Sequence, residues 1–111
     1  HKVTINNKLK NGNTVIAPIK NNICSNLIAG NENTVGVRVP NHLFCKELSK
    51  LFQNPITSTS VNRTGEKPLT NPDDISNEFK RDIDLIIDDG IINGVGSKIF
   101  LFTNGSWKQL R

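Results

Sequence analysis

The 111 residues include no Met, no Tyr, one Trp, two His and two Cys. Each scarcity excludes something. Cys24 and Cys45 form no Cys-x-x-Cys pair and match no metal-ligand spacing, so each reads as a small, semi-buried hydrophobe. A disulfide between them stays open, because two Asn-x-Thr/Ser sequons occur, Asn62 to Thr64 and Asn104 to Ser106. Sequons arise by chance where Asn is abundant, and the expected location is the cytoplasm. No apolar run approaches the roughly 20 residues of a membrane helix, and no signal-peptide apolar region opens the chain. With 35% hydrophobic and 22% charged residues, neither disorder nor a fibre fits. The length suits one compact domain over 1–111, with a modest core. A start at His1 without any Met reads as a fragment or a processed form. Heavy use of Asn, Lys and Ile suits an AT-rich coding sequence better than any physical demand.

The formal net charge of +4 is unevenly spread. Residues 1–70 hold nine Lys/Arg and three Glu, whereas residues 71–90 hold two basic and seven acidic side chains. A basic surface facing a nucleotide or nucleic acid is one reading, and ordinary solubility charge is the other.

Val3 to Ile5 and Thr14 to Ile19 read as short strands joined by a turn over Asn7 to Asn13. Asn21 to Asn26 is irregular, with Ile23, Leu27 and Ile28 expected to anchor it inward, and Asn31 to Asn33 is a loop. Thr34 to Val39 alternates, with Val35, Val37 and Val39 on one side and Thr34, Gly36 and Arg38 on the other. After Pro40, Asn41 caps a helix in which Leu43, Phe44, Glu47, Leu48, Leu51 and Phe52 give the stripe at 3.6 spacing, closed at Asn54-Pro55. Ile56 to Ser60 is β-branched and reads as a strand entering a turn at Arg63 to Pro68. Asn71-Pro72-Asp73-Asp74 starts a helix reaching about Lys80. Ile83 to Ile87 reads as a strand closed by Asp88-Asp89-Gly90. Ser97 to Phe102 and Ser106 to Leu110 pair around Asn104-Gly105. Strands alternating with helices in this order predict an α/β fold with a mixed sheet.

Thr34, Gly36 and Arg38 offer a hydroxyl, a gap and a guanidinium, which suits an anion; a solvated Arg on an edge strand is the alternative. Ser60 and Asn62 end a short strand, where α/β proteins place ligands, although turn bonding to the backbone explains them equally well. The three glycines of Gly90 to Gly96 lack dinucleotide-binding spacing and read as a loop. His1 is terminal and reads as mobile or a tag remnant, and His42 reads as a surface residue in a first helical turn. No Ser/His/Asp or Cys/His arrangement is present. Helix capping accounts for Asp73 and Asp74, a strand-end turn for Asp88 and Asp89 ahead of metal binding, and packing for Trp107 ahead of a base-stacking platform.

Thr34-Val35-Gly36-Val37-Arg38-Val39-Pro40-Asn41-His42, followed by Thr59-Ser60-Val61-Asn62-Arg63-Thr64-Gly65-Glu66, resembles the YrdC/TsaC family of threonylcarbamoyl-AMP synthases. That family carries a TVGVRxPxH strand, a TSAN-x-SG strand end, a following PT, an IDLILDGG strand, a G-x-ST and a terminal ILR. Here these stand as Pro68-Leu69-Thr70, Ile83 to Gly90, Gly96-Ser97-Lys98 and Gln109-Leu110-Arg111. Gly12 to Ile16 resembles a degraded PGxxTxIL.

The resemblance implies a twisted, open α/β sheet of the YrdC-like type, truncated on its N-terminal side, around a positive cavity. It implies condensation of ATP, carried as its Mg²⁺ complex, with L-threonine and bicarbonate. The products are threonylcarbamoyl-AMP and pyrophosphate, used for transfer-RNA modification alongside other proteins of that pathway. By motif, Arg38 clamps the threonine carboxylate, Ser60 and Ser97 line the threonine and phosphate region, and Thr34, Asn62, Thr70 and Arg111 contact the nucleotide. No tightly bound cofactor and no catalytic side chain is implied. The departures are a missing Lys-x-Arg motif in residues 1–33 and Lys98 where Thr is usual, so the chain is expected to be weak or inactive alone. Double-stranded RNA binding without catalysis, or carbamoyl-adenylate handling of the kind seen in hydrogenase maturation, are the alternatives.

Overall fold

A four-stranded sheet forms because four short segments can bury apolar side chains on one face. In the computed structural model, which describes residues 2–20, 23–30 and 32–111, the strands are Thr14–Pro18 (β1), Thr34–Arg38 (β2), Ile99–Thr103 (β3) and Ser106–Gln109 (β4). Their order is β2-β1-β3-β4, with β1 and β3 parallel and the other two pairs antiparallel, so the sheet is mixed and open as expected. The helices are Lys2–Leu9 (α1), Leu43–Phe52 (α2) and Pro72–Phe79 (α3). The expectations for His1, Asn31 and the first residues of the Asn21–Asn26 segment fall outside the described residues.

The chain divides into two compact units. Unit 1, His1–Asn54 with Gly96–Arg111, contains the whole sheet. Val15 and Phe100, register partners on the two central strands, are its buried apolar side chains among the described residues, at 2% and 9% exposure. α1 packs on β1, and Lys8 places Nζ 4.0 Å from the centre of the Phe100 ring. The Asn104-Gly105 turn has both residues at positive φ, 50° and 75°, the backbone that a two-residue hairpin needs. It aligns Phe102 opposite Trp107 with ring centres 4.9 Å apart, so Trp107 is a packing residue.

Three expectations for unit 1 need correction. Val3 to Ile5 is helical, not extended: packing of α1 on β1 outweighs β propensity. The helix end is held by Lys10 N–H on the Asn6 carbonyl and by Asn13 Nδ2 on the Lys8 carbonyl. Ile23, Leu27 and Ile28 do not anchor inward. The turn closed on Ser25, whose carbonyl accepts from Ile28 and Ala29 and whose Oγ accepts from Leu27, leaves Leu27 and Ile28 outward, and Ile23 before it is exposed as well. The cap of α2 is His42, half-buried, not Asn41, whose Oδ1 instead accepts from Lys46 Nζ at 2.8 Å. α2 itself forms where its stripe predicts, and Gln53 ends it in the left-handed region. Its stripe is nevertheless open, Leu43 at 75% and Leu51 at 84% exposure. Cys24 and Cys45 are half-buried free thiols.

Unit 2, Pro55–Val95, has α3 as its regular element among the described residues. Ile56 to Ser60 and Ile83 to Ile87 are not strands: neither forms a ladder, and β-branched composition alone does not make one. The helix start is as predicted, with Asn71 Oδ1 accepting from Asp73 N–H at 2.9 Å and Pro72 in the first turn. Asn71→Ala is expected to cost unit 2 about 1 kcal/mol. A lowered urea midpoint measures it, and an unchanged midpoint would show that the cap contributes nothing.

Candidate functional site

In unit 1 the strand register brings four polar side chains to one end of the sheet. β1 begins there with Thr14, β2 ends there with its partner Arg38, and β3 begins just after Ser97. Thr14 N–H donates to the Lys98 carbonyl at 2.8 Å, and Ile99 N–H donates to the Arg111 carbonyl at 3.0 Å, which returns the chain end to the same place. Thr14 Oγ1 and Ser97 Oγ lie 2.7 Å apart, and Arg111 Nε donates to the Ser97 carbonyl at 3.1 Å. The Arg111 guanidinium lies across Gly96: a Cβ there would meet it at 3.0–3.3 Å, tighter than most such contacts, so the guanidinium would have to give way by a few tenths of an ångström. Gly96 is thus more than the loop residue it reads as in sequence. Arg38 Nε donates to the Gly12 carbonyl at 2.9 Å, and Gly12 holds a φ of 70°, a conformation that favours glycine.

Two guanidiniums and two hydroxyls at one sheet end make an arrangement suited to a carboxylate or phosphate. Thr34 shares the Arg38 face, as its parity predicts, but pairs with Pro18 at the opposite end of the five-residue strand. That places it about 13 Å along the strand at ~3.3 Å per residue. Gly36 lies between them, and a Cβ there would make only ordinary 3.8 Å contacts with Ile16 and Thr14, so the face is open at its middle.

Unit 2 holds Ser60, Asn62 and Thr70. Leu69 N–H donates to the Val61 carbonyl at 2.8 Å, so the turn between them folds back on itself. Asn62 Nδ2 donates to the Arg63 carbonyl at 2.9 Å, the turn bonding expected as one alternative, while its Oδ1 is buried with no partner. An orphaned buried acceptor is a place for a ligand donor. Arg63, which the residue chemistry did not single out, latches this turn to α3. Its Nε donates to Glu78 Oε1 at 2.8 Å, Nη2 to Asp82 Oδ2 at 2.9 Å, and its guanidinium lies 4.6 Å from the Phe79 ring centre. The hydrogen bonds to Glu78 and then Asp82 raise its pKa above the ordinary guanidinium value. The stabilisation from such a raised pKa is complete below the ordinary value and fades only as pH climbs through the folded one, so physiological pH does not modulate it.

Ser60 and Thr70 are exposed, and the Thr70 carbonyl accepts from Ile92 N–H at 3.1 Å. Asp88 Oδ1 accepts from Gly90 N–H at 2.8 Å, the turn that its sequence predicts. The open depression beside it, lined by Asn71, Asp73, Asp88 and Ile91, holds about 220 Å³. Ligand pockets run to about 300–1,000 Å³, so this one alone does not house a nucleotide. No group of three or more His, Cys, Asp or Glu able to hold a metal occurs among the described residues.

Residues 4–111 match the Sua5/YciO/YrdC family, whose description reads "telomere recombination". The chain belongs to that family. Among relatives in it, the threonylcarbamoyl-AMP synthase of Idiomarina loihiensis is 28% identical over 96 residues, 78% of this chain and 51% of that protein. The threonylcarbamoyl-AMP synthase of Photobacterium profundum is 33% identical over 75 residues, covering 68% of this chain and 40% of the relative. That of Pyrococcus abyssi is 32% identical over 77 residues, 69% and 22% respectively. The chain thus spans about half the length of the first of these Sua5/YciO/YrdC relatives and less of the others. No solved structure gives a significant match. The relatives' names make this a family containing enzymes, and no helix among the described residues is long and apolar enough to cross a membrane.

Proposed function

We propose that the chain carries part of a threonylcarbamoyl-AMP synthase site, binding ATP with Mg²⁺ and L-threonine. The observation that supports this most is the gathering of Arg38, Arg111, Thr14 and Ser97 at one end of unit 1's sheet. In this reading Arg38 holds the threonine carboxylate by a bidentate fork. Ser97 lines the threonine and phosphate region, and Arg111 neutralises phosphate charge. By the motif resemblance, Ser60 is assigned to threonine and phosphate binding and Asn62 and Thr70 to nucleotide binding within unit 2, and Thr34 to nucleotide binding within unit 1. Mg²⁺ arrives with the nucleotide's phosphates as part of the substrate. Residues 1–111 act as one partial domain, in the cytoplasm, with transfer-RNA modification as the destination of the product.

Condensing threonine and bicarbonate with ATP requires attack at the α-phosphorus, a step that depends on positioning and on neutralising charge. No Lys-x-Arg motif accompanies Arg38 and Arg111 in residues 1–33. A lost contact of that kind removes about 2.7–4 kcal/mol of transition-state stabilisation. Binding with feeble turnover is therefore the expected behaviour.

Thermal unfolding with Mg·ATP and L-threonine, singly and together, tests the reading. A ligand at 100 times its dissociation constant adds about 2.7 kcal/mol of stability. A shift with ATP that threonine enlarges supports the proposal; no shift with either, or rapid threonylcarbamoyl-AMP formation by the chain alone, contradicts it in part or whole.

One observation favours double-stranded RNA as a second reading. Unit 1 holds ten Lys/Arg and two Glu, while unit 2 holds four Lys/Arg and eight carboxylates, so the positive charge is concentrated in unit 1. RNA binding of this origin weakens steeply with added salt, a nucleotide site much less.

A further inference from the structure

We propose that Thr14 is a positioning residue, which holds the Ser97 hydroxyl so that it donates toward the threonine end of the site. The inference rests on the functional reading above and adds to it a side chain that lies 83 residues from its partner in sequence. Thr14 is fixed on three sides. Its N–H donates to the Lys98 carbonyl at 2.8 Å, which pins the start of β1 against the segment that carries Ser97. Its Cγ2 methyl lies beside Gly36, where an added Cβ would meet it at 3.8 Å, and its Oγ1 lies 2.7 Å from Ser97 Oγ. A β-branched side chain on a strand has few χ1 options, so methyl and hydroxyl each keep their own direction.

Two hydroxyls at this distance share one proton, and the other proton points onward. When Thr14 donates to Ser97, the Ser97 proton is free for an acceptor, and the pair forms a directed chain whose members strengthen one another. The acceptor that suits it is a carboxylate or phosphate oxygen, since Arg38 and Arg111 surround the same sheet end with positive charge. Thr14 touches no ligand in this scheme. It acts through Ser97 and selects for ligands that present an oxygen acceptor there.

The test compares Thr14→Val, which keeps shape and removes the hydroxyl, with Thr14→Ser, which keeps the hydroxyl and removes the methyl. L-threonine and Mg·ATP binding to the whole chain are measured by calorimetry. Thr14→Val is expected to weaken L-threonine about tenfold, the size of one hydrogen bond, with Mg·ATP affinity changed by less than about twofold. Thr14→Ser is expected to bind L-threonine within about twofold of the parent. Equal affinity in Thr14→Val, or equal loss in Thr14→Ser, overturns the assignment, because a purely packing role would follow the methyl.

A second measurement is independent of ligand. Scalar couplings at the Ser97 β-protons are expected to report one rotamer in the parent and averaging in Thr14→Val. If the parent binds neither ligand, the functional reading fails while the couplings still judge Thr14. Averaged couplings in the parent, or unchanged ones in Thr14→Val, overturn the positioning role by themselves.

Discussion

Arg38→Ala is expected to abolish the part of the thermal shift that depends on L-threonine while leaving the response to Mg·ATP alone. Arg38 is exposed, so its removal costs unit 1 little stability, within about 0.5 kcal/mol. The role proposed for it is compatible with its bond to Gly12. Nε is committed to the Gly12 carbonyl at 2.9 Å, and the terminal nitrogens of a guanidinium form a fork of the kind that matches a carboxylate. Hydrogen bonds to charged groups contribute about 1.5–3 kcal/mol, so the affinity for L-threonine should fall by roughly one to two orders of magnitude. Arg38→Lys retains charge without the fork and should fall between the two. Titration calorimetry with L-threonine in the presence of saturating Mg·ATP measures all three proteins. If Arg38→Ala binds threonine as the parent does, the carboxylate is held elsewhere and the assignment of Arg38 is wrong.

What the residues disclose in advance divides by the range of the interactions. The Asn104-Gly105 hairpin and the Asn71-Pro72 helix start are specified by neighbours within four residues, and both form as expected. α2 follows from its stripe, and β2 from alternation, which also places Thr34 and Arg38 on one face. Val3 to Ile5, Ile56 to Ser60 and Ile83 to Ile87 mislead because their composition is extended while the deciding partner lies elsewhere in the chain. The first finds a strand to pack against as a helix, and the other two find no ladder. Ile23, Leu27 and Ile28 mislead differently: hydrophobicity says that a side chain gains by burial, not that a turn permits it.

The candidate site shows the same division. Short motifs name Arg38, Ser97 and Arg111, and the structure brings these three to one sheet end. The Thr14–Ser97 contact is not legible in them, because only the parallel pairing of β1 with β3 brings those residues together. Parity gave a hint, since Thr14 and Ile16 share the alternation that faces Arg38 and Gly36. The latch of Arg63 onto Glu78 and Asp82 similarly spans 15 and 19 residues and joins a turn to a helix. Such charged partners are named by geometry and not by spacing.

Phe100→Ala is the substitution with the largest expected effect on folding. Phe to Ala in a core costs about 3–5 kcal/mol, and small domains are stable by only about 5–15 kcal/mol. In unit 1 the loss is poorly shared, because Val15 is the other buried apolar side chain among the described residues and is its register partner. Removing the ring also strips the surface under Lys8 Nζ and loosens the start of β3, which follows Ser97 and pairs with the Arg111 carbonyl. Trp107, the single Trp, packs on Phe102 within the same sheet and therefore reports unit 1 by its fluorescence. The transition in Phe100→Ala is expected to fall to low urea or vanish, and ligand responses assigned to Arg38 and Ser97 should vanish with it. Leu51→Ala is the matched control: that side chain is large and apolar but 84% exposed, so its removal should shift the midpoint by less than about 0.5 kcal/mol. A Leu51→Ala loss as large as that of Phe100→Ala would mean that the α2 stripe is covered in solution and that unit 1 draws its stability from a larger core than Val15 and Phe100.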